Sequence, residues 1–404
     1  MMPREMRLRL MLVVPFLFLL GGTGGCKQGP WTLWNAYASR FIDVQGRVVD
    51  PQGGNRTTSE GQSYALFFAL VNNDQARFEQ ILNWTQANLA QGDLATHLPA
   101  WLWGKSKEGE WKALDPNPAA DSDAWIAYSL VEAGRLWNKP AYSNAGREMM
   151  GLIARQEVAE LPGFGMMLMP GPTALFTHKG SWTNNPSYLP LFIFERFSAI
   201  QPDGPWGAIA MNIPRLLKQS SRHGFAMDWV DYVPSDGFYP ATAPGAQPQP
   251  QKGDVKTQQN TQQKADPAPA VGSYDAIRVY LWAGILGEGQ TRTDMIGSVS
   301  GMGSYLANHG APPEKVSDQG IPLEQDGPVG FSAAVLPYLR AFPNAERISA
   351  QQRIRMSAQL DPTSGFYGKD PAYYDQNLVL FATGYLDERF RFGPRGELKV
   401  EWTK

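Results

Sequence analysis

Apolar residues recur along most of the chain at the three- and four-residue spacing that is typical of amphipathic helices. Tyr64, Phe67 and Val71, for example, fall on one face of a predicted helix. This spacing predicts helices over roughly 58–73, 75–90, 121–137, 142–156, 187–199, 208–221, 273–286, 291–308, 330–341, 346–358 and 372–386. Few stretches alternate as half-buried strands do. The pattern predicts an all-α fold in which helical hairpins close into an α/α barrel.

One segment interrupts this helical pattern. The residues from about 241 to 272 are rich in Gln, Pro, Ala and Lys and contain almost no large apolar residue, which is typical of a disordered surface loop. A domain boundary is the competing interpretation, but the sequence SYDAIRVYLW that follows resumes a buried helix. We therefore predict one barrel domain over 26–404, with a disordered insertion at about 241–272.

The first 25 residues have the three parts of a secretory signal peptide. Arginines at the start precede an apolar run over 10–20, and small residues follow that run. The run is shorter than the about 20 residues that a membrane-spanning helix needs, so we expect no membrane span. We predict a periplasmic or secreted protein, with lipid anchoring at Cys26 as the alternative.

Composition excludes several classes of function. The formal net charge of −2 gives no electrostatic basis for binding nucleic acid. The four histidines are scattered, and Cys26 is the only cysteine, so we expect neither a metal site nor a cysteine nucleophile. The chain also lacks the G-x-S-x-G, P-loop and dinucleotide-binding patterns, and we expect no cofactor. We predict a monomer that binds an uncharged partner.

Carboxylates stand at the starts of several predicted helices, notably Glu60, Asp121 and Asp275. Each suits a helix N-terminus, and Thr57 with Glu60 fits a capping box, so a purely structural role is one interpretation. In a barrel of hairpins, however, the inner helices run in one direction and their starts meet at one mouth. Hydrolysis of a glycosidic bond needs one protonated and one ionised carboxyl group. Acids gathered at one end of the barrel could supply both.

Several motifs, in this order, resemble glycoside hydrolase family 8: TTSEGQSYA, LPAWLWGK, NPSYLPL and SYDAIRVYLW. The similarity runs from about Trp34 to Arg391 and is greatest to members that are encoded with bacterial cellulose synthase. It implies an (α/α)6 barrel that cleaves β-1,4-glucan chains with inversion of the anomeric carbon. It further implies a role in cellulose biosynthesis, with the cellulose synthase complex as a second partner beside the glucan.

The resemblance also implies roles for individual residues. Glu60 matches the general acid of the family, and Asp275 matches the base that activates water. Asp121 falls on the signature aspartate, to which we assign positioning of the sugar and tuning of Glu60.

Other residues are predicted to bind the substrate. Sugar rings stack on aromatic side chains, which predicts platforms at four positions: Trp103, Trp182, Tyr188 and Tyr274. Core packing is the alternative for each of them. Arg278, one helical turn after Asp275, is predicted to orient the base or a sugar hydroxyl, with simple carboxylate pairing as its alternative. Chitosan, xylan and lichenan are alternative substrates, and a non-catalytic glucan-binding assembly factor is the alternative outside enzymes.

Overall fold

The computed structural model of the protein describes residues 29–244, 269–343 and 345–403. The predicted signal peptide, Cys26 and most of the predicted insertion lie outside these ranges. The chain from Thr32 onward forms one structural unit, and of the unit before it only 29–31 are described. None of the described helices is both long and apolar enough to cross a membrane.

The described residues contain fourteen α-helices. These are α1 (Thr32–Phe41), α2 (Ser59–Val71), α3 (Gln75–Asn88), α4 (Ala120–Leu136), α5 (Pro140–Gln156), α6 (Thr173–Phe176), α7 (Leu191–Ile200), α8 (Trp206–Ser220), α9 (Ala276–Ile285), α10 (Gln290–Ser298), α11 (Gly301–Asn308), α12 (Val329–Leu339), α13 (Ala345–Ser357) and α14 (Tyr373–Leu386). A short 3-10 turn, Pro186–Tyr188, precedes α7.

The helices form an inner and an outer layer. The helices α2, α4, α7, α9, α12 and α14 are the inner ones, and in α9 and α12 every residue is buried. Each inner helix packs against an outer partner: α3, α5, α8, α10, α13 and α1, respectively. Helices that are apolar on all faces belong inside, whereas helices with one apolar stripe belong outside. Six such pairs confirm the predicted (α/α)6 barrel.

The predicted helices match the observed ones closely, with one break. The predicted helix 291–308 is divided into α10 and α11, because the chain bends where Gly301 packs on the loop at Gly224. The amide of Gly301 donates to the carbonyl of Gly224 at 2.8 Å. A Cβ at position 301 would lie 2.7 Å from that carbonyl oxygen, so the close approach requires glycine. The helices α1 and α6 were not predicted.

Short strands in the loops form five small antiparallel sheets within the described residues. The strands are β1 (Thr57–Thr58), β2 (Ala100–Lys105), β3 (Trp111–Pro118), β4 (Val158–Leu161), β5 (Gly165–Leu168), β6 (Thr177–His178), β7 (Ser181–Asn184), β8 (Trp229–Val233), β9 (Gly237–Ala241), β10 (Val271–Gly272), β11 (Lys315–Ser317), β12 (Pro322–Glu324), β13 (Phe390–Phe392) and β14 (Leu398–Val400). The last residue of β9 and the whole of β10 fall within the predicted insertion, so regular structure extends into both of its ends. Residues 245–268 lie outside the described residues.

Aromatic rings from four inner helices meet around Phe381 in the core. Its ring centroid lies 4.6 Å from that of Phe68, 5.0 Å from Tyr64, 5.1 Å from Trp282 and 5.2 Å from Trp125. Burying one ring of this size contributes roughly 1.5–3 kcal/mol, so the cluster holds α2, α4, α9 and α14 firmly together. The starts of three of these helices carry the predicted acids.

Candidate active site

Arg278 on α9 joins the acids of two other inner helices. Its side chain is only 2% exposed. One terminal nitrogen, Nη1, donates to Glu60 Oε2, to Tyr64 Oη at 3.1 Å and to Asp121 Oδ2 at 3.3 Å. A single guanidinium therefore links the start of α2 to the start of α4.

The second terminal nitrogen of Arg278 contacts the third acid. Nη2 donates to Asp275 Oδ1 at 2.6 Å and to Ser187 Oγ at 2.9 Å. The other oxygen of Asp275 accepts from the amide of Asn185 at 2.9 Å. The structure thus brings the three predicted acids together around the predicted arginine, and it adds Asn185 and Ser187, which sequence reasoning did not single out.

The capping box predicted for Glu60 does not form. The N-cap of α2 is Thr58, whose hydroxyl accepts from the amide of Gly61 at 3.1 Å. The hydroxyl of Thr57 is used elsewhere, since it donates to the carbonyl of Val48 at 2.6 Å. Glu60 is therefore one position too early in the helix to complete the box. Because Thr58 caps the helix, the carboxylate of Glu60 is available to Arg278.

A similar arrangement leaves Asp275 available. Asp275 occupies the N-cap position of α9, but its side chain makes no capping bond. The carboxylate of Asp228 accepts from the amide of Ala276 at 2.8 Å and from the amide of Ser273 at 2.7 Å. Sequence reasoning missed Asp228, which lies far from α9 in the chain. At both helix starts, another side chain does the capping and the predicted catalytic acid faces Arg278.

The three acids differ in solvent exposure, and the pKa values of two of them are raised. The side chains of Glu60 and Asp275 are 22% and 30% exposed, whereas that of Asp121 is 5% exposed. Burial raises the pKa of Glu60, the charge of Asp275 raises it further, and Arg278 opposes both. Burial, again opposed by Arg278 and reinforced by Glu60, raises the pKa of Asp121 from 3.8 to about 7. Three acids around one cation cannot all ionise cheaply.

A second pair of acids lies close to this cluster. Asp123, two residues after Asp121, and Glu157 are both fully buried. Burial is the largest cause that raises the pKa of both groups, to about 8 for Glu157. The charge of Glu157 raises the pKa of Asp123 further. None of the four carboxyl oxygens accepts a hydrogen bond from the described residues, and Asp123 is not among the groups that Arg278 contacts.

Two of the predicted platforms border the cluster. The ring of Tyr188 lies 5.6 Å from the guanidinium carbon of Arg278. Tyr274 directly precedes Asp275, and 44% of it is exposed. The hydroxyl of Tyr274 donates to Glu314 at 2.7 Å, which fixes the orientation of its ring. The structure thus places both rings beside the acids, and their role as sugar platforms stays a prediction.

The two predicted tryptophan platforms lie farther along the surface. Trp103 on β2 is paired with Thr57, and its ring stacks on that of Trp111 at 5.0 Å between centroids. The guanidinium carbon of Arg47 lies 4.4 Å from the centroid of Trp103. Trp182 on β7 packs against Tyr232 at 6.1 Å. Both predicted platforms are partly exposed, and their role as platforms stays a prediction.

No group of three or more metal-ligating side chains within the described ranges is arranged to hold a metal ion. The positive charge among these carboxylates is that of Arg278. The site can therefore hold one acid protonated and another ionised, on opposite sides of a fixed cation, which is the requirement for acid–base hydrolysis.

Comparison with known proteins agrees with this chemistry. The model of the glycosyl hydrolases family 8 matches residues 22–247. An endoglucanase of Xanthomonas axonopodis pv. citri is 45% identical over 377 residues, which cover 93% of this chain and 90% of the relative. An endoglucanase of Escherichia coli strain K12 is 41% identical over 377 residues, or 92% of this chain and 91% of the relative.

A solved structure shares the whole fold. The crystal structure of an endo-1,4-D-glucanase from Vibrio fischeri ES114 is 35% identical and covers 93% of this chain and 100% of its own, with a TM-score of 0.78. The family model spans the helices that carry Glu60 and Asp121 and ends before Asp275, whereas the relatives and the solved structure cover 92–93% of the chain. The chain belongs to family 8 of the glycosyl hydrolases.

Proposed function

We propose that the protein is an exported endo-β-1,4-glucanase that inverts the anomeric carbon. The observation that carries the proposal is the placement of Glu60 and Asp275. Each stands at the start of a different inner helix, each contacts a different nitrogen of Arg278, and neither is used to cap its helix. Two carboxyl groups on opposite sides of a cleft, with room for water at one of them, are the requirement for inversion.

Glu60 is the proton donor in this proposal. A general acid must hold its proton at the working pH, and burial shifts the pKa of Glu60 in that direction. The side chain is 22% exposed, so its proton can reach the leaving glycosidic oxygen. Asp121 lies deeper, at 5% exposure, and burial, together with the charge of Glu60, raises its pKa. Its role in this proposal is to position the adjacent sugar.

Asp275 is the base that activates water. Its two oxygens are oriented by different partners, Arg278 at 2.6 Å and Asn185 at 2.9 Å. These contacts hold the carboxylate in one orientation, which a base that must reach a single water requires. We expect the carboxyl groups of Glu60 and Asp275 to be roughly 6.5–9.5 Å apart in the complex with substrate, which leaves room for one water.

The substrate we propose is a β-1,4-linked glucan, as the names of the relatives suggest for them. The catalytic acids do not select the sugar, so the choice falls to the cleft surfaces near Tyr188 and Tyr274. The test is a panel of carboxymethylcellulose, lichenan, xylan and chitosan. We expect the highest kcat/KM on carboxymethylcellulose, with a rapid fall in viscosity per reducing end released. A preference for chitosan or xylan would overturn the substrate assignment and leave the acid–base roles intact.

We also propose that the enzyme acts outside the cytoplasm during cellulose production, with the synthase complex as its neighbour. The signal-like sequence of the first 25 residues supports export. Cell fractionation tests it, since we expect the activity in the periplasmic or secreted fraction. A Cys26→Ala variant that moved the activity from the membrane fraction to the soluble one would favour lipid anchoring instead. Deletion of the gene should change cellulose yield or chain length.

A further inference from the structure

Two adjacent tyrosines at the start of α14 contact the starts of both helices that carry the proposed acid and base. Tyr373 and Tyr374 are the first two residues of that inner helix. The hydroxyl of Tyr373 shares a hydrogen bond with the hydroxyl of Thr58 at 3.2 Å. The hydroxyl of Tyr374 donates to the carbonyl of Tyr274 at 2.5 Å. The two bonds point away from each other, one toward α2 and one toward α9.

The first bond reaches the residue that orients Glu60. Thr58 is the N-cap of α2, and Glu60 is the second residue of that helix. Tyr373 is buried and packs tightly there, since a Cβ at Gly61 would lie 2.8 Å from its hydroxyl oxygen. A shift of Thr58 would therefore move Glu60 with it.

The second bond reaches the residue next to Asp275. The acceptor is the main-chain carbonyl of Tyr274, one peptide unit before the proposed base. The rings of Tyr274 and Tyr374 also contact each other at 5.9 Å between centroids. A hydrogen bond to the backbone fixes the position of the chain itself, whatever side chain it carries.

We propose that Tyr373 and Tyr374 are positioning residues that together fix the gap between Glu60 and Asp275. Neighbouring residues of one helix cannot move apart, because the backbone joins them at about 3.8 Å between Cα atoms. Bonds from this pair to both helix starts therefore tie the acid side of the cleft to the base side. The proposal rests on the acid and base roles proposed above, and it predicts that each hydroxyl matters to a different half of the reaction.

The test compares Tyr373→Phe and Tyr374→Phe on two substrates, one a cello-oligosaccharide and the other 2,4-dinitrophenyl β-cellotrioside. The second needs no proton from the acid, because dinitrophenolate leaves unaided. We expect Tyr373→Phe to lower kcat about tenfold on the oligosaccharide and little on the aryl glycoside. We expect Tyr374→Phe to lower kcat about tenfold on both, since water attack is needed in each case.

Tyr338→Phe is the matched control. Tyr338 is buried, and its hydroxyl donates to the carbonyl of Val299 at 2.8 Å and accepts from the amide of Gly303 at 3.2 Å. Removing this hydroxyl should lower Tm and leave kcat on both substrates within twofold of the value for the original protein. The positioning role is overturned if both variants at 373 and 374 behave like this control, or if both lose the same factor on both substrates.

A crystallographic measurement tests the proposal independently of activity. In the Tyr373→Phe/Tyr374→Phe double variant, we expect the distance between the carboxyl carbons of Glu60 and Asp275 to differ from that of the original protein. An unchanged distance would overturn the positioning role even if the proposed activity failed. Absence of hydrolysis by the original protein would instead overturn the proposed function, so the two failures are distinguishable.

Discussion

The inner helix α4 carries a buried acid near each end, and the two acids have opposite surroundings. Asp121 lies in its first turn and Glu132 near its last, eleven residues or about 16 Å away along the axis. Both are almost completely buried. The comparison shows how one helix can carry a charged cluster that stabilises the fold and another that belongs to the proposed active site.

Both carboxylate oxygens of Glu132 are paired with arginines. Arg135 contacts one carboxylate oxygen at 2.5 Å, and Arg196 contacts the other at 2.6 Å. The amide of Leu398 in β14 donates a third bond at 2.8 Å. One negative charge meets two positive ones, and the contacts join α4 to α7 and to the final hairpin. The role of this arrangement is to hold these elements together.

The centre at Arg278 has the reverse ratio. One positive charge meets Glu60, Asp121 and Asp275. Burial, together with this excess of negative charge, raises the pKa values of Glu60 and Asp121. A cluster of like charges that costs stability and shifts the pKa of its carboxyl groups is characteristic of a catalytic site. The charge ratio, rather than burial, distinguishes the two centres.

The largest expected effect is on activity, from Glu60→Gln. Glutamine keeps the shape and hydrogen bonding of the side chain but cannot give a proton. We expect kcat on carboxymethylcellulose to fall about a thousandfold, within the range that general acid catalysis contributes. Thermal unfolding should show a Tm that is unchanged or higher, because the substitution removes one of three carboxyl groups that share a single positive charge. A large loss of Tm, with kcat of the folded protein retained, would mean that Glu60 is structural.

The corresponding substitution in the other cluster is Glu132→Gln, which should lower stability rather than activity. It leaves two arginines without their buried partner, which costs about 3 kcal/mol of unfolding free energy. Urea unfolding measures this loss, and kcat at 25 °C should stay within twofold. Glu110→Gln is the control, since Glu110 pairs with Lys112 at the surface and its loss should cost under about 0.5 kcal/mol. Equal losses in both variants would remove the contrast between the two centres.

A third effect is a pH dependence of stability at Asp121. Its pKa is 3.8 when unfolded and about 7 when folded, so the folded state holds the proton more tightly. The resulting stabilisation is present below about pH 4 and is lost as the pH rises toward 7. Relative to the original protein, Asp121→Asn should therefore have a more favourable Tm at pH 8 than at pH 4.5. A Tm difference that is independent of pH would contradict the raised pKa.

The smallest effect is expected at the predicted platform Trp103. Replacing it by alanine should raise KM about threefold to tenfold and leave kcat within twofold, because ring stacking is worth about 0.5–1.5 kcal/mol and serves binding. Trp402→Ala is the control, because Trp402 is also partly exposed but contacts the carbonyl of Leu70 near the other end of α2. An unchanged KM for Trp103→Ala would assign that ring to packing.

The sequence predicted the barrel, and it predicted that the acids stand at helix starts, because both depend on local pattern. Apolar spacing gives inner and outer helices, and helix starts are readable from the residues beside them. Glu60 and Asp275 were found in this way, with their roles implied by the family resemblance. The capping box was wrong because Thr57 and Thr58 are adjacent and chemically equal, so the sequence does not show which one caps. The hydroxyl of Thr57 is bonded to Val48, and Thr58 caps the helix.

Contacts between distant segments were not predictable. Asp228 caps α9 across more than forty residues of chain, and nothing beside it indicates that role. Tyr374 reaches the carbonyl of Tyr274 from 100 residues away. Asn185 was within a motif quoted for the resemblance, but its bond to Asp275 depends on the turn that follows β7. The small sheets were not predicted either, since seven of their fourteen described strands have only two or three residues, too few for a recognisable pattern.

The stereochemistry of the first product tests the central claim most directly. Proton NMR during hydrolysis of cellopentaose shows which anomer forms before mutarotation. If Glu60 donates the proton and Asp275 activates water on the opposite face, the α-anomer appears first. If the β-anomer appears first, the reaction proceeds through a covalent intermediate, and the roles assigned to Glu60 and Asp275 are wrong.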